Sequence, residues 1–149
     1  MNEDDLLAQV RAAFEAFDPI PESVLSAGRS AIGWRVPSAV LAGLAADRTG
    51  PVEAGVRGGT SRALTFTCPG LRLEVEVTGA GRHREVTGRL DPPAPALVEV
   101  RHPDVTPGGL TARAESDGLF CLPRVPEGLT SLVLRFADGT SIVTSWIHL

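Results

Sequence analysis

The feature that most constrains the fold is a strict alternation of apolar and charged residues in the segment LRLEVEVT. Leu71, Leu73, Val75 and Val77 are separated by one arginine and two glutamates. A period of two residues puts the apolar side chains on one face of a β-strand and the charged ones on the other. We therefore predict a strand over residues 71–78 that faces a hydrophobic core.

Other short segments with strand character fill residues 61–149, and turn-forming dipeptides such as Pro69-Gly70 and Asp117-Gly118 separate them. The predicted strands are SRALTFTC, LRLEVEVT, HREVTGRL, ALVEVRH, LTARAES, LFCL, SLVLRFA and SIVTSWIHL. Many short strands with regular turns are typical of a sandwich rather than a parallel α/β sheet. We predict an antiparallel β-sandwich of seven to eight strands.

The N-terminal part of the chain has helical periodicity instead. Asn2 can cap a helix whose first turn carries three acidic residues, which suits a helix N-terminus. Asp18 precedes Pro19, and the residue before a proline disfavours helical dihedrals, so this helix ends there. A second helix is predicted to begin near Pro21, where the missing N–H costs nothing.

The domain boundaries follow from these changes of pattern. The segment SAVLAGLAAD, residues 38–47, would give a third short helix, so residues 1–47 form a predicted helical region with two or three helices. Residues 48–60 are rich in glycine and lack periodicity, and we predict a connector. Residues 61–149 form the predicted sandwich.

Bulk composition limits the classes of partner. With 43% hydrophobic and 21% charged residues, the chain has the balance of an ordinary globular protein that buries a core. The net charge of −4 argues against a nucleic-acid surface, which needs clustered positive charge. The N-terminus is acidic, where a secretory signal would be basic, and no apolar run could cross a bilayer. We expect a cytoplasmic protein that binds neither nucleic acid nor membrane.

Residues that could carry chemistry are isolated from one another in the sequence. Cys68 and Cys121 form no CxxC pair, and we expect both to be buried thiols. His83, His102 and His148 show no metal-binding spacing, and we expect each to be an exposed strand residue. A catalytic pair of Cys121 with a histidine stays open, because such partners meet only in space. The sequence otherwise predicts no active site and no cofactor.

Three aspartates in predicted turns can be interpreted in two ways. If successive strands alternate in direction, Asp91, Asp117 and Asp138 lie at one end of the sandwich, where three carboxylates could bind calcium. Asp-Pro and Asp-Gly are also preferred turn dipeptides. The turn interpretation is favoured, because no dense set of oxygen ligands accompanies the aspartates.

The C-terminal part, from Val86 onward, resembles the carboxypeptidase regulatory-like, or prealbumin-like, β-sandwich. The resemblance is carried by the segment SDGLF, residues 116–120, followed by VPEG, residues 125–128. It implies a Greek-key sandwich that serves as an accessory module and contributes no catalytic residues. The layout of the whole chain, with WR after the second helix and TSWIHL at the end, resembles small actinobacterial proteins similar to regulatory companions of sigma factors.

The first predicted helix carries the main candidate for a binding surface. At about 100° per residue, Leu6, Val10, Phe14 and Phe17 fall in one narrow stripe. Such a stripe either packs on the sandwich or docks on a partner, and aromatic and arginine residues are typical of interface hot spots. The predicted partner-binding residues are Val10, Phe14, Phe17, Arg29, Trp34 and Arg35.

We therefore expect a non-enzymatic regulatory adaptor that binds another protein, a sigma factor or another component of a bacterial signalling system, through its N-terminal helices. The alternative is a ligand- or metal-binding structural β-sandwich. Open edge strands would also allow a homodimer.

Overall fold

The computed structural model describes residues 2–51 and 60–149, and the chain divides into two units, Met1–Arg35 and Val36–Leu149. The first unit contains helices α1, Glu3–Phe17, and α2, Glu22–Gly33. The predicted cap of α1 is confirmed, because the Asn2 side chain accepts a hydrogen bond from the Asp5 amide at 2.8 Å. Within the described residues of both helices, no side chain is buried, and neither helix is long and apolar enough to span a membrane.

The second unit is a β-sheet. Ten strands are present in the described part of the chain: β1 Val40–Pro51, β2 Thr60–Cys68, β3 Leu71–Thr78, β4 His83–Asp91, β5 Ala96–Arg101, β6 Thr111–Ala114, β7 Leu119–Pro126, β8 Leu129–Arg135, β9 Ser141–Thr144 and β10 Ile147–His148. Their order in the sheet is β6-β5-β8-β9-β1-β2-β3-β4-β7, with β10 beside β8. The end strands β6 and β7 contact each other, so the sheet is nearly closed and barrel-like.

The mainly β architecture with two N-terminal helices is confirmed, but a sandwich of seven to eight strands is not. The described strands form one continuous sheet, and one of its pairs is parallel rather than antiparallel: Val40–Ala42 of β1 beside Ile142–Thr144 of β9. The last predicted segment is also divided, since β9 and β10 pair separately with β8.

The predicted third helix is wrong. Residues 40–51 form β1, which pairs with β9 through its first residues and with β2 through Gly43–Pro51. The alanine- and leucine-rich sequence suits a helix, but pairing on both sides satisfies its backbone and overrides that propensity. The predicted connector overlaps these strands, because residues 48–51 belong to β1 and Thr60 begins β2. Residues 52–59 of that connector lie outside the described residues.

The predicted alternation on β3 is confirmed. Leu73, Val75 and Val77 are buried, while the intervening Arg72, Glu74 and Glu76 are exposed. The inner face of the sheet repeats this pattern on neighbouring strands and forms one core. Its most completely buried apolar side chains are Leu64, Phe66, Leu73, Leu90, Val98, Val100, Leu122, Val125 and Leu134. The outer face of β3 and its neighbours is consequently the polar one.

An ion pair joins β1 and β2, the two neighbouring strands in the middle of the sheet. The Asp47 carboxylate of β1 accepts hydrogen bonds from Arg62 of β2, from Nε at 2.9 Å and from Nη2 at 2.7 Å. These hydrogen bonds hold the pKa of Asp47 below its ordinary value. Both side chains stay partly exposed, so the pair resembles a surface salt bridge more than a buried one.

Candidate functional site

The predicted apolar stripe of α1 is exposed along its length. The exposed fraction is 44% for Val10, 65% for Phe14 and 88% for Phe17, and Leu6 lies on the same face at 48%. Each of these residues is one helical turn from the next, so their side chains form a continuous surface. The structure thus brings three of the six predicted binding residues together.

The other three predicted residues belong to α2 and its C-terminal end. The Arg29 guanidinium forms a salt bridge with Glu22 at 2.8 Å, and both side chains are mostly exposed. Trp34 caps the helix and is half-buried, and Arg35 is exposed. The six predicted residues therefore lie in two groups, three on α1 and three on α2 and its C-terminal end.

A second candidate site was not predicted from the sequence. The outer face of β1, β2, β3, β4 and β7 forms an open concavity of about 940 Å³, and Arg113 of β6 also lines it. We call this concavity the trough. Its lining residues in the described part of the chain belong to the sheet unit.

Strand register arranges most of the outward side chains of the trough in two rows that cross the strands. The first row is Ala46, Thr65, Glu74, Arg89 and Leu119. The second row is Arg48, Ala63, Glu76, Thr87 and Cys121. In the second row small side chains alternate with long charged ones, whereas in the first row two small residues are followed by two charged ones. The floor is low where alanine or threonine stands.

Two features curve and thin the sheet beneath the trough. The register shifts in β1 between Leu44 and Ala46 and in β4 near Glu85, and such irregularities bend a strand and increase its twist. Gly88 lies opposite Phe120 on the inner face, where a Cβ atom would come within 2.1 Å of the ring. The phenylalanine ring fills the space that a larger side chain at residue 88 would occupy.

The trough is locally positive in an acidic protein. Four arginines and two glutamates line it, whereas the chain has a net charge of −4. Arg72 pairs with Glu74 at 3.1 Å. Among the described residues, Arg48, Arg89 and Arg113 form no salt bridge. Their guanidinium groups are the trough's available hydrogen-bond donors for an acidic ligand.

The prediction that both cysteines are buried is wrong. Cys121 is exposed on the outward face of β7 and lines the trough, and Cys68 is half-buried. Partial burial raises the pKa of the Cys68 thiol. None of the three histidines is among the described lining residues, so the structure does not bring an imidazole beside Cys121 in the trough. The absence of catalysis stays a prediction.

The histidines are not all exposed as predicted. His83 and His148 are exposed, but His102 is buried at 2% exposure. Its Nδ1 accepts a hydrogen bond from the Asp104 amide at 3.0 Å, which leaves Nε2–H to donate to the Glu127 carbonyl oxygen at 2.9 Å. Both ring nitrogens are used in joining two loops, a structural role.

The three turn aspartates do not assemble a metal site. In the described residues, no group of three or more histidine, cysteine, aspartate or glutamate side chains could hold a metal ion. Asp117 and Asp138 each accept a hydrogen bond from a backbone amide two residues later, at 3.0 and 2.8 Å. In the case of Asp138, the bond from the Thr140 amide also lowers the pKa of the carboxyl group. The geometry is that of aspartate in a turn.

Comparisons with protein-family models, with curated proteins and with solved structures found no match to this chain.

Proposed function

We propose that the protein is a non-enzymatic regulatory adaptor that binds a protein partner through its N-terminal helices, with the sheet unit as scaffold. The observation that carries the proposal is the α1 stripe, in which four apolar side chains at helical spacing are each 44% or more exposed. Water solvates such a surface unfavourably, and an apolar groove on a partner would remove it from water. Amphipathic helices commonly bind in this helix-in-groove mode.

The charges around the stripe define the partner's chemistry. Glu3, Asp4 and Asp5 lie in the first turn of α1, and the last turn has no basic residue. A partner groove with an apolar floor and a basic rim near the N-terminal end of α1 would complement this helix. Arg29, Trp34 and Arg35 would supply a second, more basic contact at α2.

The specific form of the proposal is a sigma factor, or another component of a bacterial signalling system, as the partner. Its support is the resemblance of the chain's layout to small actinobacterial proteins similar to regulatory companions of sigma factors. A purified sigma factor can therefore be tested directly, beside capture of partners from a lysate of the source organism.

The experiment compares three tagged proteins by affinity capture and quantitative mass spectrometry. They are the wild type, Phe14→Asp/Phe17→Asp on the stripe, and Ala8→Asp/Ala12→Asp on the opposite face of α1. The two variants add the same charge to the same helix on opposite faces, so added charge alone does not explain a difference between them. Circular dichroism establishes that all three keep equal helix content.

We expect the stripe variant to lose a partner that the wild type and the opposite-face variant both retain. Burial of each phenylalanine is worth about 1.5–3 kcal/mol, so loss of two lowers the affinity by at least about a hundredfold. Equal recovery of every partner by all three proteins would refute binding through α1. Failure of the sigma factor alone would refute only the specific form.

A further inference from the structure

The trough on the outer face of the sheet has the properties of a second binding site, separate from the α1 stripe. Its open volume of about 940 Å³ is near the upper end of the range of about 300–1,000 Å³ typical of ligand pockets. An inorganic ion would leave most of this volume empty. The occupant that fits is an elongated molecule lying across several strands.

The charge pattern across the strands restricts that occupant further. Arg48 stands on β1, Glu76 on β3 and Arg89 on β4, so positive charges flank a negative one. Three strand spacings of about 4.8 Å separate β1 from β4, and the two arginines also stand in different rows, two residues apart along the strands at about 3.4 Å per residue. Together these displacements place the two arginine positions about 16 Å apart. An anionic occupant would therefore carry acidic groups at two separated points, with no acid between them.

An extended polypeptide fits these two requirements. At a rise of about 3.4 Å per residue, a distance of about 16 Å is covered by four to five residues of extended chain, and a separation of four positions keeps both acidic side chains on one face. The alanine and threonine side chains between the charged ones leave room for a peptide backbone over Ala63 and Thr87. Guanidinium groups bind carboxylates with two parallel hydrogen bonds, which fixes both position and orientation.

We propose that the trough binds an extended acidic segment of a partner protein, with two acidic residues about four positions apart. One carboxylate pairs with Arg48 and the other with Arg89, and Arg113 adds positive charge at the β6 side. The residues between the two acids are neutral or basic, because Glu76 faces them. This site belongs to the sheet unit and does not depend on the adaptor function proposed for α1.

The test uses a fluorescein-labelled, capped peptide with two glutamates four positions apart and serine and glycine between them. Its counterpart has glutamine in both places. Fluorescence anisotropy with the full chain measures the dissociation constant of each peptide. We expect saturable binding of the glutamate peptide, and an affinity for the glutamine peptide about three- to thirtyfold lower, because two ion pairs with exposed arginines are lost.

Cys121 locates the peptide. In a Cys68→Ser protein it is the only thiol, because the chain has two cysteines. We expect the bound glutamate peptide to slow alkylation of Cys121 by iodoacetamide, a neutral reagent, and the glutamine peptide to leave the rate unchanged. Binding without protection of Cys121 would place the peptide elsewhere and overturn the proposal.

Arginine variants test the named contacts. Arg48→Gln and Arg89→Gln should each weaken binding of the glutamate peptide by about two- to fivefold, the effect of losing one exposed ion pair. Arg124→Gln should leave binding unchanged, because Arg124 is an exposed arginine of β7 that does not line the trough. Equal weakening by all three variants would indicate a general charge effect and refute the site.

Citrate distinguishes a peptide site from a site for small anions. We expect citrate to displace the peptide only at high concentrations. Sodium chloride at the same ionic strength should then displace the peptide to the same extent. Displacement by citrate at the peptide's own concentration range would overturn the peptide proposal.

Binding of the glutamate and glutamine peptides to the wild-type chain tests the proposal even where an arginine variant is unstable, and equal affinity for the two peptides would refute it.

Discussion

Replacement of Gly88 by alanine tests the packing beneath the trough most directly. Gly88 lies in β4 between Val75 of β3 and Phe120 of β7, and all three are buried. An added Cβ atom would lie 2.1, 2.3 and 2.8 Å from three carbon atoms of the Phe120 ring. Ordinary contacts between carbon atoms are about 3.5–4.0 Å, so the ring must move by more than about 1 Å.

The cost follows from where the ring can go. Phe120 is 5% exposed and belongs to the core, which leaves it no open space on the inner face. Inserting a methyl group into a packed core costs about 1–3 kcal/mol, and a rigid aromatic neighbour puts this substitution at the upper end. For a domain of this size, about 2–3 kcal/mol corresponds to a melting temperature lower by about 5–10 °C.

The assay is urea unfolding, with thermal unfolding beside it, for the wild type and Gly88→Ala. Gly43→Ala is the matched control, because Gly43 is also a strand glycine and an added Cβ there meets no atom within 4 Å. We expect the control to stay within about 0.5 kcal/mol of the wild type. Phe120→Leu should reduce the cost of Gly88→Ala when the two are combined. A Gly88→Ala protein as stable as the control, or strictly additive effects, would refute the steric explanation.

Three further predictions concern electrostatics and hydrogen bonding. Asp47→Asn should lower the free energy of unfolding at pH 7 by about 0.5 kcal/mol, because the pair with Arg62 is partly exposed. The folded-state pKa of Asp47 is lowered, so this contribution is present above the ordinary pKa of about 4 and is lost as the pH falls through the folded-state value. Urea titrations of both proteins between about pH 7 and about pH 2 should therefore converge, and a constant difference would contradict the role of the charge. His102→Leu should lower the free energy of unfolding, measured with urea, by about 2 kcal/mol, because it leaves the Asp104 amide and the Glu127 carbonyl without their partner. An unchanged free energy of unfolding would show that water replaces the ring. Calorimetry should detect no heat of binding on calcium addition, since no group of ligating side chains occurs in the described residues, and saturable heat would show that the chain binds calcium.

The strand period predicts more of the fold than residue type does. The alternation at Leu73, Val75 and Val77 correctly gives β3 and its buried face. Applied to β7, the same period places Cys121 outward, because Phe120 and Leu122 on either side are buried. The prediction that Cys121 is buried relied on residue type alone, and it was therefore wrong.

His102 shows the same effect. Val98 and Val100 are buried on β5, and two residues further along the same face is His102, which is buried as well. The period continues past the end of the strand, although a histidine is usually placed at the surface. Position in the alternation outweighed the polarity of the side chain, and two hydrogen bonds satisfy its ring.

The remaining features depend on pairings between distant segments. Nothing local distinguishes β1 from a helix, since its strand conformation follows from β2 and β9 on its two sides. The trough likewise requires the register of five strands, because Arg48 and Arg89 become parts of one surface only through the strands between them. The stripe of α1 is the opposite case, since helical periodicity alone places its side chains on one face.

The position of β1 between β2 and β9 has a consequence for how the chain folds. The Leu44 amide donates to Ser145 Oγ at 3.2 Å across 101 residues of sequence, and the Ser145 amide donates to the Ala42 carbonyl oxygen. Closing the long loop between such residues costs conformational entropy before their hydrogen bonds stabilise the fold. Folding dominated by contacts of this kind takes milliseconds to seconds. During synthesis β2 can pair with β1 early, and β3 and β4 can then add to β2 in turn, whereas the other edge of β1 must wait until β9 has left the ribosome. For that interval the apolar first residues of β1 present an unpaired edge, which is where a nascent chain would need a chaperone.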